Sequence, residues 1–213
     1  MLPPGSLWPP DQKQWEYHNF QPSQTHTIAK VQQGNSLQDF IGNSQDYQYA
    51  LIKYAIEHFR NARFGPITGY FQFMFMDPWP AISWSVVDYY REKKEGYRAL
   101  QLASQPVLLH FAGLDKSGAG KPFFKELVII NDYHKAFKNA SLRIWLEGPD
   151  QKELVSMVIP TDVLPDSRTV PFTPEAEWAL PETAPVGNYR LNARLIGPTG
   201  VLISENKDVI IWQ

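Results

Sequence analysis

From Gln105 to Gln213 the sequence breaks into short runs rich in β-forming residues, at 106–114, 123–131, 140–147, 153–159, 168–172, 176–180, 188–196 and 201–211. Turn signals separate them, among them Gly148-Pro149-Asp150 and Gly197-Pro198-Thr199-Gly200. Seven or eight short strands within about 109 residues match the scale of an immunoglobulin-like β-sandwich. The expectation is therefore an all-β domain over 105–213, with enough length and alternating apolar positions for its own core.

The first half follows a different grammar. Residues 1–35 are rich in Pro, Gln, Asn and Gly without a sustained period and read as an extended segment, anchored by burial around Trp15-Glu16-Tyr17-His18. Ser36 and Asp39 then set a capping pattern, and apolar residues at Leu37, Phe40, Ile41, Tyr47, Leu51, Tyr54, Ala55 and Phe59 predict a helix. Arg60 and Arg63 complement its dipole in the last turn, and Gly65-Pro66 stops it. Tyr49, Ile52 and Ile56 widen the apolar surface, so the helix is expected to be covered on more than one side. Residues 67–76, a nearly continuous apolar run, suit a parallel strand buried on both faces. After the loop Asp77-Pro78-Trp79-Pro80, residues 93–104 read as a second helix ended by Pro106. Helix, buried strand, loop and helix in that order are the grammar of an α/β barrel edge. The fold class expected is thus α/β plus all-β: the C-terminal edge of a (β/α)8 barrel over 1–104, then the sandwich over 105–213.

Several function classes are disfavoured. Lys and Arg number 20 against 22 Asp and Glu, a formal charge of −2, so no global field attracts nucleic acid or an anionic membrane. No apolar run reaches the length of a membrane span, and MLPPGSLWPP has neither a basic region nor an apolar core of a signal peptide; the piece reads as soluble. Without cysteine there are no disulfides, thiolate metal sites or Cys nucleophile. His18, His26, His58, His110 and His134 lack metal-ligand spacing, and no cofactor is expected. The stretch Lys116-Ser117-Gly118-Ala119-Gly120-Lys121 lacks phosphate-loop spacing and precedes a strand, so it reads as a hairpin turn. Glu175 and Glu177 read as solvated edge charges.

The most specific segment is Asp77-Pro78-Trp79-Pro80-Ala81-Ile82-Ser83-Trp84-Ser85-Val86-Val87-Asp88-Tyr89-Tyr90. It resembles the last barrel strand and following loop of family-2 glycoside hydrolases, in particular the β-mannosidase and exo-glucosaminidase branch. The wider match runs from Gly69 to Phe111 and includes Lys94, Tyr97, Ala99-Leu100 and Gln105-Pro106-Val107-Leu108, with Trp15, His18 and the Ser36–Arg60 helix upstream. Two positions depart from that branch: Phe73 and Met76 stand where it commonly has Trp and Asn. Phe73 keeps an aromatic face, whereas Met76 hardly hydrogen-bonds a sugar hydroxyl.

The resemblance implies retaining hydrolysis of O-glycosyl bonds, in which one Glu protonates the leaving oxygen and a second, about 5–5.5 Å away, attacks the anomeric carbon. In the family the acid/base follows an Asn and the nucleophile usually follows a Ser. The chain contains no Asn-Glu, and its only Ser-Glu, Ser204-Glu205, falls in the sandwich half. The resemblance thus implies the C-terminal part of a glycosidase that lacks both catalytic carboxylates and is inactive alone. Phe73, Asp77, Trp79, Trp84 and His18 are the candidates for contact with a carbohydrate substrate. For Asp77, contact with substrate, orientation of a neighbour and bracing of the loop all stay open, while Asp88 reads as a brace. Self-association through an incomplete barrel is a further expectation, and a non-catalytic carbohydrate-binding or dimerisation module is the alternative.

Overall fold

The computed structural model describes residues 5, 7–114 and 120–212. The turn expected at 116–121 lies largely outside the described residues. The chain divides into two compact units, one formed by 1–56 and 69–103, the other by 57–68 and 104–213.

The second unit is a two-sheet antiparallel sandwich. Strands β1 (Val107–Ala112), β2 (Glu126–Asn131) and β5 (Ser167–Phe172) form one sheet in the order β1-β2-β5. Strands β3 (Phe137–Glu147), β4 (Glu153–Val163), β6 (Gly187–Ile196) and β7 (Leu202–Trp212) form the other, in the order β4-β3-β6-β7. Period-2 alternation fixes which residues face inward. Val107, Leu109 and Phe111 of β1, Leu127 and Ile129 of β2, Leu142, Ile144 and Leu146 of β3, and Leu191, Ala193 and Leu195 of β6 join one core with Trp178 and Ile210. Full burial of each large side chain contributes about 1.5–3 kcal/mol of transfer free energy. Pro160 sits in β4, an edge strand, where its missing N–H costs no ladder bond. The run 176–180, expected as a strand, is instead a short 3-10 turn, Ala176–Trp178, which drops the Trp178 ring into the core against Phe124 and Phe172.

The outer face of the three-stranded sheet is also buried. Leu108 and Ala112 of β1 and Val128 and Ile130 of β2 form a second cluster there. The helix end that counts with this unit is bonded across the same sheet. Glu57 Oε2 lies 3.1 Å from His110 Nδ1, and Asn206 Nδ2 donates to Glu57 Oε1 at 2.8 Å. Arg60 donates to the Gln105 carbonyl and to Asp132, Arg63 donates to the Asn131 carbonyl and to both Asp132 and Asp166, and Arg168 of β5 donates back to Asn61. Residues 57–63 thus belong to the sandwich by bonding as well as by compactness.

The first unit is built around α2 (Leu37–Asn61), of which the turns up to Ile56 count with it. Its start is a reciprocal capping box. Ser36 Oγ accepts from Asp39 N, and Asp39 Oδ2 accepts from the backbone N–H of Asn35 and Ser36. Those bonds hold the Asp39 carboxyl below its ordinary range, the Asn35 N–H first. Residues 7–35 are not simply extended: α1 (Gln12–Tyr17) is capped by Asp11, and Ser23–Ile28 makes a π-helical turn. Composition without a period hid both because neither is long enough to show one. The segment is nonetheless anchored. Trp15, Phe20, Val31 and Phe40 form a small core, with Trp15 edge-on to Phe20 at 5.2 Å.

Helix α3 (Glu95–Ala103) packs close to α2 at Gly96, where an added Cβ would fall 2.5 Å from Gln48 Oε1. Gln45 Oε1 accepts from Glu95 N and caps its first turn. On α2, Phe40, Lys53 and Ile56 are buried, while Tyr47, Leu51 and Tyr54, spaced along one helical stripe, are exposed. One expectation fails in this unit. The run 67–76 forms no strand beyond a single parallel bridge from Met76 to Val87, and Phe71 is 99% exposed. A strand buried on both faces needs neighbours at both edges, and the described residues supply only that one bridge. Among the described residues no helix is long and apolar enough to cross a membrane.

Candidate functional site

The loop after residue 76 is held from three directions within the first unit. On the chain's own return, Val86 and Val87 N–H donate to the Phe75 carbonyl, and Asp77 N–H donates to Val87 O. Residues 88–92 then turn tightly: Asp88 Oδ1 accepts from Glu92 N, Asp88 N donates to Glu92 O, and Arg91 takes a left-handed φ of 74°. This hairpin places Lys93 against Val87 and lets Lys94 N–H donate to Val86 O. Asp88 therefore braces the loop.

The turn returns Lys94 to the far side of Asp77, seventeen residues earlier in sequence. The Asp77 carboxylate is 1% exposed. Its Oδ1 accepts from Ser83 Oγ, and its Oδ2 accepts from Ser85 Oγ at 2.7 Å and from Lys94 Nζ at 3.3 Å. Lys94 Nζ also donates to Ser85 Oγ at 2.8 Å and to the Ser83 carbonyl at 3.2 Å. A buried carboxylate is stable only when paired and hydrogen-bonded, and this one has both kinds of partner. Both of its oxygens are occupied inside the loop, the geometry of a group that orients its neighbours.

A second brace comes from α2, where Gln48 Nε2 donates to the Trp84 and Ser85 carbonyls, 3.0 Å each. The third is α1. His18 is buried, its Nδ1 lies 2.6 Å from the Pro80 carbonyl, and its own carbonyl accepts from Ile82 N at 2.7 Å. A carbonyl can only accept, so Nδ1 carries the proton in this contact. The His18 ring stacks on Trp79 with centroids 5.1 Å apart and planes 22° from parallel, while Tyr17 meets Trp79 edge-on at 6.0 Å.

What the braces leave at the surface is aromatic. Trp79 is 39% and Trp84 43% exposed, and Phe73 stands 74% exposed on the approach to the loop. Flat apolar faces held on hydrogen-bonded backbone suit stacking against the C–H faces of a sugar ring. Of the five residues singled out in the sequence, His18, Asp77 and Trp79 thus share one bonded assembly with Trp84, and Phe73 lies on the strand-like approach. Lys94, Ser83, Ser85 and Gln48 carried no site role in the sequence reading. Only the hairpin at Asp88 brings Lys94 to Asp77, and an Asp-x5-Ser-x-Ser pattern alone does not announce a buried carboxylate. Ser204 is buried in β7, and Glu205 pairs outward with Arg194 at 3.0 Å. Among the described residues no group of three or more His, Asp and Glu side chains could hold a metal.

No family profile matches the chain, and no curated protein sequence does either. Solved structures do. A complex of the exo-chitosanase CsxA of Amycolatopsis orientalis with PNP-β-D-glucosamine matches with a TM-score of 0.68 over 88% of this chain, at 21% identity. The crystal structure of that exo-chitosanase matches over 84% with a TM-score of 0.67 and 20% identity. A structure of the exo-β-D-glucosaminidase CsxA, concerned with its inhibition by a glucosamine-configured castanospermine and an amino-australine analogue, matches over 83% with a TM-score of 0.66 and 21% identity. The chain spans about a fifth of the length of these enzymes. At this identity the likeness establishes the fold, and it agrees with the resemblance carried by the Asp77–Tyr90 motif.

Proposed function

We propose that this chain is the C-terminal part of a retaining glycoside hydrolase of the family-2 type, supplying one wall of the substrate cleft and an accessory β-sandwich. The observation that carries the reading is the braced loop with Trp79 and Trp84 at its surface, in a chain whose fold matches a fifth of an exo-chitosanase. In this reading 67–76 is the closing strand of a barrel whose other strands lie upstream. Trp79, Trp84, Phe73 and His18 face the glycan, and Asp77 orients the loop that carries the two tryptophans. The O-glycosyl bond is cleaved by two carboxylates that the rest of the polypeptide provides.

By itself the chain hydrolyses no glycoside. Retention needs an acid and a nucleophile about 5–5.5 Å apart on one scaffold, and displacement by about 1 Å already costs about a hundredfold in rate. The test is turnover of aryl β-mannoside, β-glucoside, β-galactoside, β-glucuronide and β-glucosaminide by this chain and by a product extended upstream through a barrel. Activity confined to the longer product supports the reading. Turnover by the purified short chain would overturn it. The exposed rings of Trp79 and Trp84 also favour a second role, in which the isolated chain holds a glycan without cleaving it.

A further inference from the structure

The geometry points to Lys94 as the positioning residue of the aromatic loop: with Asp77 it forms a buried lock that sets Trp79 and Trp84 for ligand, without itself touching the glycan. The inference rests on the reading that these two rings face sugar. Three facts carry it. Asp77 is 1% exposed and both of its oxygens accept bonds inside the loop, so it is shut off from an incoming hydroxyl. Lys94 reaches Asp77 Oδ2, Ser85 Oγ and the Ser83 carbonyl at once, filling the three donor positions of an ammonium. Ser83 and Ser85 flank Trp84, and Ser83 Oγ also accepts from Ser85 N, so the lock grips the backbone on either side of that ring.

The chemistry predicts a sign that ordinary packing does not. Removing Lys94 alone leaves a carboxylate buried without its counter-charge, which is strongly unfavourable, and the loop must open to hydrate it. Removing the charge of both partners relieves that penalty, because the amide and the thioether that replace them in the double variant are both neutral. Lys94→Met should therefore disturb the loop more than the combination of Asp77→Asn with Lys94→Met does.

The seven tryptophans supply the readout. In 15N-labelled chain, indole N–H signals assigned through Trp79→Phe and Trp84→Phe report the loop, Trp15 reports the core of the same unit, and Trp178 and Trp212 report the sandwich. In Lys94→Met the signals of Trp79 and Trp84 should shift or broaden, those of Trp15, Trp178 and Trp212 should stay in place, and the double variant should return the first pair toward wild type. In parallel, each variant is titrated with a β-1,4-linked glucosamine oligosaccharide. Ordering two loosened side chains again on binding costs about tenfold in affinity, the loss expected for Lys94→Met. If Trp15 moves together with the loop and the double variant restores nothing, the pair is a general stabiliser and the proposal fails. If the loop signals stay unchanged in Lys94→Met, it fails as well. If the loop responds as stated but Trp79→Ala leaves oligosaccharide binding unaltered, or wild type binds none, the lock stands and the assignment of these rings to sugar falls.

Discussion

In the sandwich unit, Leu142, Ile144, Leu191 and Leu195 alternate along paired strands and every one is fully buried. In the first unit an equally apolar stretch, with Phe71, Phe73 and Phe75, leaves all three rings exposed, and α2 shows Tyr47, Leu51 and Tyr54 on one stripe. Local hydrophobicity does not separate these regions. What differs is the supply of neighbours: each inner strand of the sandwich has a partner on both edges, whereas 67–76 has one bridge. An apolar run therefore does not by itself specify a buried strand. The sandwich closes its core with seven strands and borrows a helix end.

That borrowing gives the largest expected effect. The strands begin near residue 105, but Glu57, Arg60, Asn61 and Arg63 are bonded across the outer face of the three-stranded sheet. A product of residues 105–213 loses the bonds of His110 and Asn206 to the Glu57 carboxylate, at about 1.5–3 kcal/mol for each hydrogen bond to a charged group. Against a total stability of about 5–15 kcal/mol this is a large fraction. Thermal unfolding of 105–213 beside 57–213 should show cooperative melting for the longer product and a midpoint lower by at least about 10 °C for the shorter. Equal midpoints would show that the helix end is a passenger.

Next in size is a pair of substitutions chosen to contrast the two apolar populations. Leu142→Ala removes a side chain from the sealed core and should cost about 2–5 kcal/mol of the sandwich transition. Phe71→Ser removes a ring that touches almost nothing, so it should alter that transition by no more than about 0.5 kcal/mol while raising solubility and reducing any self-association. Denaturant melts and sedimentation of both variants check this. A large loss of stability in Phe71→Ser would mean that the ring packs in solution.

The same contrast explains what could be read from the sequence. Alternation placed seven sandwich strands because period 2 survives in any sheet with one buried face. It misplaced 176–180, since a run holding Trp178 and Leu180 looks the same whether it pairs or merely plugs the core. The capping box at Ser36 and Asp39 was legible because its partners are three residues apart. The Asp77–Lys94 lock was not, because it depends on a hairpin whose geometry lies in the left-handed φ of Arg91 rather than in any spacing rule. The exposed state of 67–76 was hidden for a different reason: an apolar run states what environment a segment suits and says nothing about where its neighbours come from.

The smallest expected effect concerns the start of α2, in the first unit. The Asp39 carboxylate accepts from Asn35 and Ser36 N–H, and its pKa in the folded chain lies below 3.8. A carboxyl whose folded pKa is depressed adds stability that is present above its unfolded pKa and is lost as pH falls through the folded one. The helix start should therefore hold its full strength above the ordinary Asp range, about pH 4–5, and lose that support progressively as pH falls through the depressed folded value. Because the carboxyl is exposed, the loss is local fraying and not unfolding of the unit. A 13C titration of the Asp39 carboxyl, read beside backbone amide shifts of Asn35, Ser36 and Asp39, should give one shared midpoint below 3.8. Asp39→Asn keeps a side-chain oxygen that can take the place of Oδ2 for both N–H groups but carries no charge, so it should abolish that pH step and leave the Trp79 and Trp84 indole signals unmoved. Amide midpoints at the ordinary value for an Asp side chain would show that the capping box is open in solution.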